Sequence, residues 1–293
     1  MEKEEENKIA GIECRFVVHI PANKERPDLH LVKELIHYEN GRSEPNLRFI
    51  KNYKRNFFVT SPQYRTHKQK KEIESFDKLM KFTCTQSEFR DKIADALGLG
   101  YSHDHIKKLS NSPYLYGTEI PSASIIKKSY QEKNKTHLTP YTVMAFDIET
   151  DMVHGTEEPI IITAVMGNEI FISVTKDYLQ GLANPESEFR SKCIKYVSEY
   201  TDLSKYNITY QECRNTIDLI RQSFKWVHSM KPDFLSIWNM DFDIPKIINT
   251  LQAYGVDPAS ILCDPSIPEA ARICKYKQGQ TKKRKANGQE VSI

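Results

Sequence analysis

The chain has 293 residues, of which 39% are hydrophobic and 28% are charged, a composition typical of a soluble globular protein with one large or two moderate domains. No run approaches the roughly 18 apolar residues of a membrane span, and the acidic N-terminus lacks the apolar segment of a secretory signal. The six scattered cysteines form no C-x-x-C pair and indicate reduced thiols, so we expect a cytoplasmic protein with no membrane contact.

The first part of the chain has the composition of a mixed α+β domain. Residues 11–60 are predicted to be β-rich, with one strand near each end and polar, proline-containing loops between them. Residues 70–98 are predicted to be helical. The following segment contains several prolines and little periodicity, which places a domain boundary near residue 138. We therefore expect a smaller domain over residues 1–138, whose function the pattern does not indicate, and a second domain over residues 139–293.

The second domain begins with strand signals. The apolar run at 141–150 is typical of a buried strand. The runs at 159–166 and 169–174 flank the turn dipeptide Gly167-Asn168, which predicts a β-hairpin.

Helices and a further strand follow this hairpin. Two helical stretches come first, and the second has apolar residues at three- and four-residue spacing. These residues are Cys213, Ile217, Ile220, Phe224 and Val227. A short strand at 234–238 then leads to a helix that we expect to begin at Pro245 and to stop near Gly255. This order of elements predicts an α/β fold.

Two carboxylates interrupt the apolar strand at 141–150. Asp147 and Glu149 are two residues apart, so their side chains should share one face while Phe146 and Ile148 point into the core. Like charges placed side by side are costly unless a cation compensates them, and Mg²⁺ and Mn²⁺ prefer carboxylate oxygens. The alternative is a strand that ends at Phe146 and leaves both acids in solvent.

A second polar group lies between the strand at 234–238 and the helix expected at Pro245. It consists of Asn239, Asp241 and Asp243. Asp243 at a helix N-terminus could serve as a cap alone. Capping does not explain why both acidic groups follow a strongly apolar strand.

Basic residues concentrate in segments 65–71, 127–135 and 275–285. Such clusters can neutralise phosphates, although each is equally compatible with a solvated face or a flexible tail. The densest run is predicted to contact a nucleic-acid backbone, and its KKRK sequence is also a weak match to a nuclear import signal. It consists of Lys282, Lys283, Arg284 and Lys285.

The acidic segments FDIET at 146–150 and WNMDFDIP at 238–245 resemble the first and second exonuclease motifs of family B DNA polymerases. Their spacing and the surrounding elements also resemble the replicative polymerases of large tailed bacteriophages. The resemblance is strong over 141–262 and weaker over 11–138, which is similar in position to that family's N-terminal domain. It implies the N-terminal and exonuclease portion of a replicative polymerase, in the host-cell cytoplasm if the source is viral.

The resemblance implies a ribonuclease-H-like 3′→5′ exonuclease that proofreads with two Mg²⁺ or Mn²⁺ ions. Asp147 would bridge both ions, and Glu149 would ligate the ion that activates the attacking water. Asp243 would hold the ion that stabilises the leaving 3′-oxygen.

The same resemblance implies contacts to DNA. Asn239, Phe242 and Thr150 would help to seat the terminal nucleotide of a single-stranded 3′ end. Primer–template DNA would be a further ligand, and basic residues would lie along the backbone of the bound single strand.

The family pattern requires one more carboxylate, in a Tyr-x-x-x-Asp motif downstream of the second motif. No such motif follows Asp243, because Tyr254 and Asp257 are three residues apart. His228 and Asp233 fit a His-x-x-x-x-Asp variant but precede Asp243.

The end of the sequence carries Asn287-Gly288, a dipeptide that predicts a hairpin. In the resembled family such a hairpin continues into a core strand. We therefore expect an exonuclease domain that is incomplete at its C-terminal end, in a split polymerase whose second polypeptide supplies the rest of the site and the polymerase palm. A truncated chain is the alternative.

Two other readings remain. The chain could be a self-sufficient nuclease that recruits Asp241 or Asp151 as an unorthodox ligand. It could also be a DNA-binding scaffold module that keeps the fold without the chemistry.

Overall fold

A computed structural model of the chain describes residues 8–66, 68, 74–99, 109, 111–134, 139–276, 282–284 and 290–292. The chain divides into two compact units, the first ending at Thr139 and the second beginning at Pro140. Among the described residues, no helix is both long enough and apolar enough to cross a membrane.

The described residues of the first unit form two small antiparallel sheets. One has the order β1-β2-β3 and is formed by β1 (Ile9–Ile20), β2 (Leu29–Tyr38) and β3 (Ser43–Lys51). The other has the order β5-β4-β6 and is formed by β4 (Arg55–Thr60), β5 (Leu79–Cys84) and β6 (Leu115–Tyr116).

Each of these sheets is covered by a helix. The helix α1 (Phe89–Leu97) adds Phe89 and Ile93 to the core of the second sheet, and it ends at Gly98, whose φ of +73° is readily adopted only by glycine. The helix α2 (Ser122–Lys133) packs Ile126 against the first sheet. The first unit is therefore a mixed α+β structure.

Two predictions for this unit are wrong. Residues 79–84 form β5 instead of a helix, because pairing with β4 and an alternating burial pattern outweigh local helix preference. The strands β2 and β3 replace part of the loops expected between the ends of the 11–60 segment, whereas residues 21–28, with Pro21 and Pro27, do form a loop. Pro45 also indicated a loop, but it lies on β3, which is the edge strand of its sheet. On an edge strand, a proline whose nitrogen points away from the sheet removes no hydrogen bond between strands.

The second unit is built on a five-stranded sheet of order β10-β9-β8-β7-β11. Its strands are β7 (Val143–Thr150), β8 (Pro159–Met166), β9 (Glu169–Thr175), β10 (Asn207–Cys213) and β11 (Phe234–Ile237). The central strand β8 runs antiparallel to both of its neighbours, β7 and β9, whereas β10 runs parallel to β9 and β11 runs parallel to β7. The predicted hairpin is confirmed, with Gly167 at a φ of +61° in its turn.

The described residues of this unit also form four α-helices: α3 (Pro185–Val197), α4 (Thr216–Met230), α5 (Met240–Ala253) and α6 (Pro258–Leu262). The helix α4 lies against β8 and β9, and its apolar face enters the main core through Leu219, Ile220 and Phe224. The predicted apolar helix is therefore confirmed from Thr216 onward. Its expected first residue, Cys213, instead ends β10, a strand that the sequence analysis missed.

The helix α5 begins at Met240, so the prediction that Pro245 opens it is wrong. The carbonyl of Asn239 accepts hydrogen bonds from the N–H groups of Phe242 (2.9 Å) and Asp243 (2.8 Å), which starts the helix before the proline. Pro245 lies inside the helix and lacks the N–H that would bond to the carbonyl of Asp241. The helix stops at Ala253, close to the expected Gly255, whose φ is +68°.

The last described residues form a short antiparallel pair, β12 (Lys282–Arg284) with β13 (Glu290–Ser292). This pairing confirms the two arms of the predicted hairpin. Asn287-Gly288 and Lys285 lie outside the described residues.

Candidate active site

The strand β7 presents two carboxylates on one face, as its sequence predicts. Asp147 and Glu149 are exposed, whereas Phe146 and Ile148 are 2% and 6% exposed and belong to the main core. The alternative in which the strand ends at Phe146 is wrong, because β7 continues to Thr150 and pairs with β8 past both acids. The core residues therefore fix which way the two carboxylates point.

The strand β11 brings the second acidic segment to the same end of the sheet. It runs parallel to β7, and Ile237 pairs with Phe146, the residue before Asp147. Because parallel strands end at the same edge, the turn after Ile237 emerges beside the carboxylates of β7. The first turn of α5 then places Asp243 at this edge.

Asp243 differs from the other two acids in being buried, with only 3% of its surface exposed. Burial raises the pKa of its carboxyl group, and the negative charges of Asp147 and Glu149 raise it further. The backbone N–H of Asn239 opposes this shift by hydrogen bonding. Asp243 therefore senses the charges of both other acids, and we call the three residues the carboxylate cluster.

The carboxylate cluster has an unsatisfied oxygen. Within the described part of the chain, Asp243 Oδ2 is buried without a hydrogen-bond partner. An unpaired carboxylate oxygen near two like charges is costly, and a cation is the natural compensation. Three carboxylates form the all-oxygen donor set that Mg²⁺ and Mn²⁺ prefer. The chemistry of these residues therefore fits a hard divalent cation, although within the described part of the chain the oxygens of the three carboxylates do not all lie within 4.8 Å of one another.

The residues predicted to contact the substrate are close in sequence to the members of the carboxylate cluster, and solvent reaches each of them. Asn239 is exposed, Phe242 is 39% exposed, and Thr150 is half-buried at the end of β7. The Lys246 ammonium lies 5.2 Å from the centre of the Phe242 ring and also forms an ion pair with Glu157.

Sequence reasoning missed one residue beside the site. Trp238, assigned to the end of a buried strand, lies in the turn after β11 and is 96% exposed. The signal available in the sequence was its position directly before the Asn239 cap. A fully exposed tryptophan next to an acidic site is a potential stacking surface.

The two unorthodox ligands considered above have other partners. The carboxylate of Asp151 accepts hydrogen bonds from the backbone N–H groups of Val153 (3.1 Å) and His154 (3.0 Å) and from the Thr156 hydroxyl (3.1 Å). The hydrogen bonds from His154 and Thr156 lower the pKa of Asp151. The Tyr276 hydroxyl donates to Asp241 Oδ1 over 2.5 Å.

The residues considered for the missing motif also have contacts of their own. The Tyr254 hydroxyl donates to Glu158 (3.1 Å), and Asp257 caps α6 by accepting from the Ala259 N–H (3.0 Å). The His228 ring contacts the carbonyl of Ile261 (2.9 Å), and Asp233 accepts from the Thr142 N–H (2.9 Å).

Comparison with known proteins identifies the family. No curated protein matches the chain. Residues 100–291 match the model of the DNA polymerase family B exonuclease domain, and this span includes all three members of the carboxylate cluster. Exonuclease domains of this family have a ribonuclease-H-like α/β fold and generally use divalent metal ions. The chain therefore belongs to the DNA polymerase family B exonuclease domain family.

Proposed function

We propose that this chain provides the 3′→5′ proofreading exonuclease of a family B DNA polymerase and hydrolyses the 3′-terminal phosphodiester of DNA. The single observation that carries this proposal is the buried, unpartnered Asp243 Oδ2 beside the charges of Asp147 and Glu149. A merely structural aspartate at a helix start would have its oxygens hydrogen-bonded.

Asp147, Glu149 and Asp243 would together hold two Mg²⁺ or Mn²⁺ ions. When bound, such ions lower the pKa of the attacking water and neutralise the charge that develops on the phosphate. The protein's own contribution is positional. The β7 register holds two ligands on one exposed face, and the first turn of α5 holds the third in a buried position.

The surrounding side chains would position the DNA. Asn239, Phe242 and Thr150 would seat the terminal nucleotide, and the exposed Trp238 and Phe242 rings would stack on unpaired bases. Lys282, Lys283, Arg284 and Lys285 would neutralise backbone phosphates of the primer–template.

We further propose that a fourth carboxylate and the polymerase palm come from outside these 293 residues, from a second polypeptide or from the rest of a longer chain. The support is that residues 244–293 carry no Tyr-x-x-x-Asp motif. The tyrosine and aspartate closest to that pattern, Tyr254 and Asp257, contact Glu158 and the start of α6 instead.

The test is an exonuclease assay on single-stranded DNA with Mg²⁺, first with the chain alone and then with a co-purified polymerase-sized partner. Loss of one ligand from a two-metal site costs several kcal/mol of transition-state stabilisation, so the chain alone should be slower by on the order of a thousand-fold. Full activity of the chain alone would refute the need for a partner. An Asp147→Ala complex as active as the wild type would instead support a scaffold without chemistry.

A further inference from the structure

The first unit contains a separate group of metal-binding side chains, His19, Asp28 and His30. One possible ligand atom from each lies within 4.8 Å of the others. His30 is fully buried, Asp28 is 2% exposed, and the His19 side chain is 25% exposed. We call these three residues the His–Asp cluster.

The sheet register creates the His–Asp cluster. His19 on β1 pairs directly with His30 on β2, and their ring centroids are 5.0 Å apart. Directly opposed residues of antiparallel strands project from the same face of a sheet. Asp28 precedes β2 and lies two residues before His30, so the alternation of the chain places it on that face as well.

One oxygen of Asp28 is already held in place. Asp28 Oδ2 accepts hydrogen bonds from the Ser87 N–H (2.8 Å) and the Ser87 hydroxyl (2.5 Å), and it lies 2.9 Å from His19 Nε2. The other oxygen, Oδ1, is buried and has no hydrogen-bond partner among the described residues. The same holds for both ring nitrogens of His30.

The unpartnered atoms face each other at a distance that suits a shared ion. His30 Nδ1 is 3.8 Å from Asp28 Oδ1, too far for a hydrogen bond. Two ligand atoms that each lie about 2.1 Å from a zinc ion can be separated by up to about 4.2 Å. The 4.8 Å limit for the whole cluster exceeds that value by only about 0.6 Å, which a small side-chain rotation removes.

We propose that His19, Asp28 and His30 bind one transition-metal ion of the Zn²⁺ class. Two imidazole nitrogens and one carboxylate oxygen are donors that favour such an ion over Mg²⁺. Ser87 orients the carboxylate, as groups behind a metal ligand do. The partly exposed side of His19 leaves a fourth position for water, and the ion links β1 to the start of β2. The proposal does not depend on nuclease activity.

The test measures Zn²⁺ binding by the full chain in an Asp147→Asn, Asp243→Asn background, so that the carboxylate cluster does not contribute. Calorimetric titration with Zn²⁺ alone should give one site per chain, and Zn²⁺ should raise the melting temperature. His30→Gln and His19→Gln should each weaken binding by on the order of 100-fold or more, because each removes one of three ligands. His154→Gln, which removes an exposed histidine of the second unit, is the matched control and should bind as the background does.

Two results would overturn the proposal: no saturable Zn²⁺ binding, or binding that neither histidine substitution weakens. The second would assign the ion to other groups, such as cysteine thiols. Circular dichroism of each variant checks folding. If His30→Gln does not fold, the His19→Gln result decides, because that ring is partly exposed and its loss leaves the core intact.

Discussion

Ile237 pairs with Phe146 at the end of the parallel strands β11 and β7, and this register determines the site. The residue after Phe146 is Asp147, and the chain after Ile237 turns into the helix that carries Asp243. The charge of Asp147 consequently acts on the buried carboxyl of Asp243 and raises its pKa, second only to the effect of burial. Pairing between two strands that are distant in sequence thus places Asp147 and Asp243 at the same edge of the sheet.

Asp243→Asn should reduce the exonuclease rate of the complete enzyme by about a thousand-fold or more, because it removes a charged ligand. It should not destabilise the metal-free chain, since it removes a buried charge with an unpartnered oxygen at nearly constant volume. Activity assays and thermal melts in EDTA measure the two effects. A fall in melting temperature with normal activity would mean that Asp243 is only a structural cap.

The matched control for that substitution is Asp241→Asn. Asp241 lies in the same turn of α5, but it is exposed and accepts a hydrogen bond from the Tyr276 hydroxyl. We expect near wild-type activity from this variant. Loss of nuclease activity in Asp241→Asn, in a chain that is active alone, would support the self-sufficient nuclease instead.

Removal of divalent ions should abolish DNA hydrolysis, and Mg²⁺ or Mn²⁺ should restore it. An ion that binds the folded state but not the unfolded state stabilises the protein by mass action. Millimolar Mg²⁺ should therefore also raise the melting temperature of the wild type. Asp147→Ala should lose this increase, because we propose that Asp147 and Asp243 hold the same ion. An equal increase in Asp147→Ala would show that Mg²⁺ acts elsewhere.

Trp238→Ala should weaken the binding of single-stranded DNA by about 1–3 kcal/mol, the value of one base stacked on an aromatic ring. Folding stability should not change, because the ring is 96% exposed and contributes little to the core. Equilibrium binding of a labelled oligonucleotide and a urea titration measure these quantities. Tyr200→Ala, which removes an 84% exposed ring elsewhere in the second unit, is the control and should bind DNA normally.

The stability of the second unit should depend on pH through Asp218. Hydrogen bonds from the Arg214 side chain, together with backbone and Gln222 donors, lower the pKa of Asp218 to about 2. A depressed carboxyl pKa stabilises the folded state fully above the unfolded value of about 3.9, and this stabilisation is lost as the pH falls towards 2. Asp218→Asn should therefore lower the free energy of unfolding by on the order of 1 kcal/mol at pH 7, with a smaller loss at pH 3.

Urea denaturation at both pH values measures this loss. Asp202→Asn is the control, because Asp202 is an exposed carboxylate 4.0 Å from Lys205 and such surface pairs contribute little. A loss for Asp218→Asn that is the same at both pH values would contradict the assigned pKa.

Local periodicity was sufficient to predict the orientation of β7. Alternation over FDIET gives the buried Phe146 and Ile148 and the outward Asp147 and Glu149 without any knowledge of neighbouring strands. The hairpin of β8 and β9 followed from its turn dipeptide in the same way.

Features set by distant pairing were not predictable in this way. The strands β2, β3, β5 and β10 are defined by partners elsewhere in the chain, and their own sequences are polar or mixed. The His–Asp cluster depends on the β1–β2 register and was missed for that reason. The expected helix start at Pro245 failed because the turn at Asn239 already supplies the first helical hydrogen bonds.

The central claim is that Asp147, Glu149 and Asp243 act on shared divalent ions, and Mn²⁺ titration followed by electron paramagnetic resonance tests it most directly. We predict weak, saturable Mn²⁺ binding by the chain alone, strongly reduced by Asp147→Asn or by Asp243→Asn, with the double variant losing little more than either single one. Mn²⁺ affinity unchanged by Asp243→Asn, or losses that simply add, would contradict a shared site.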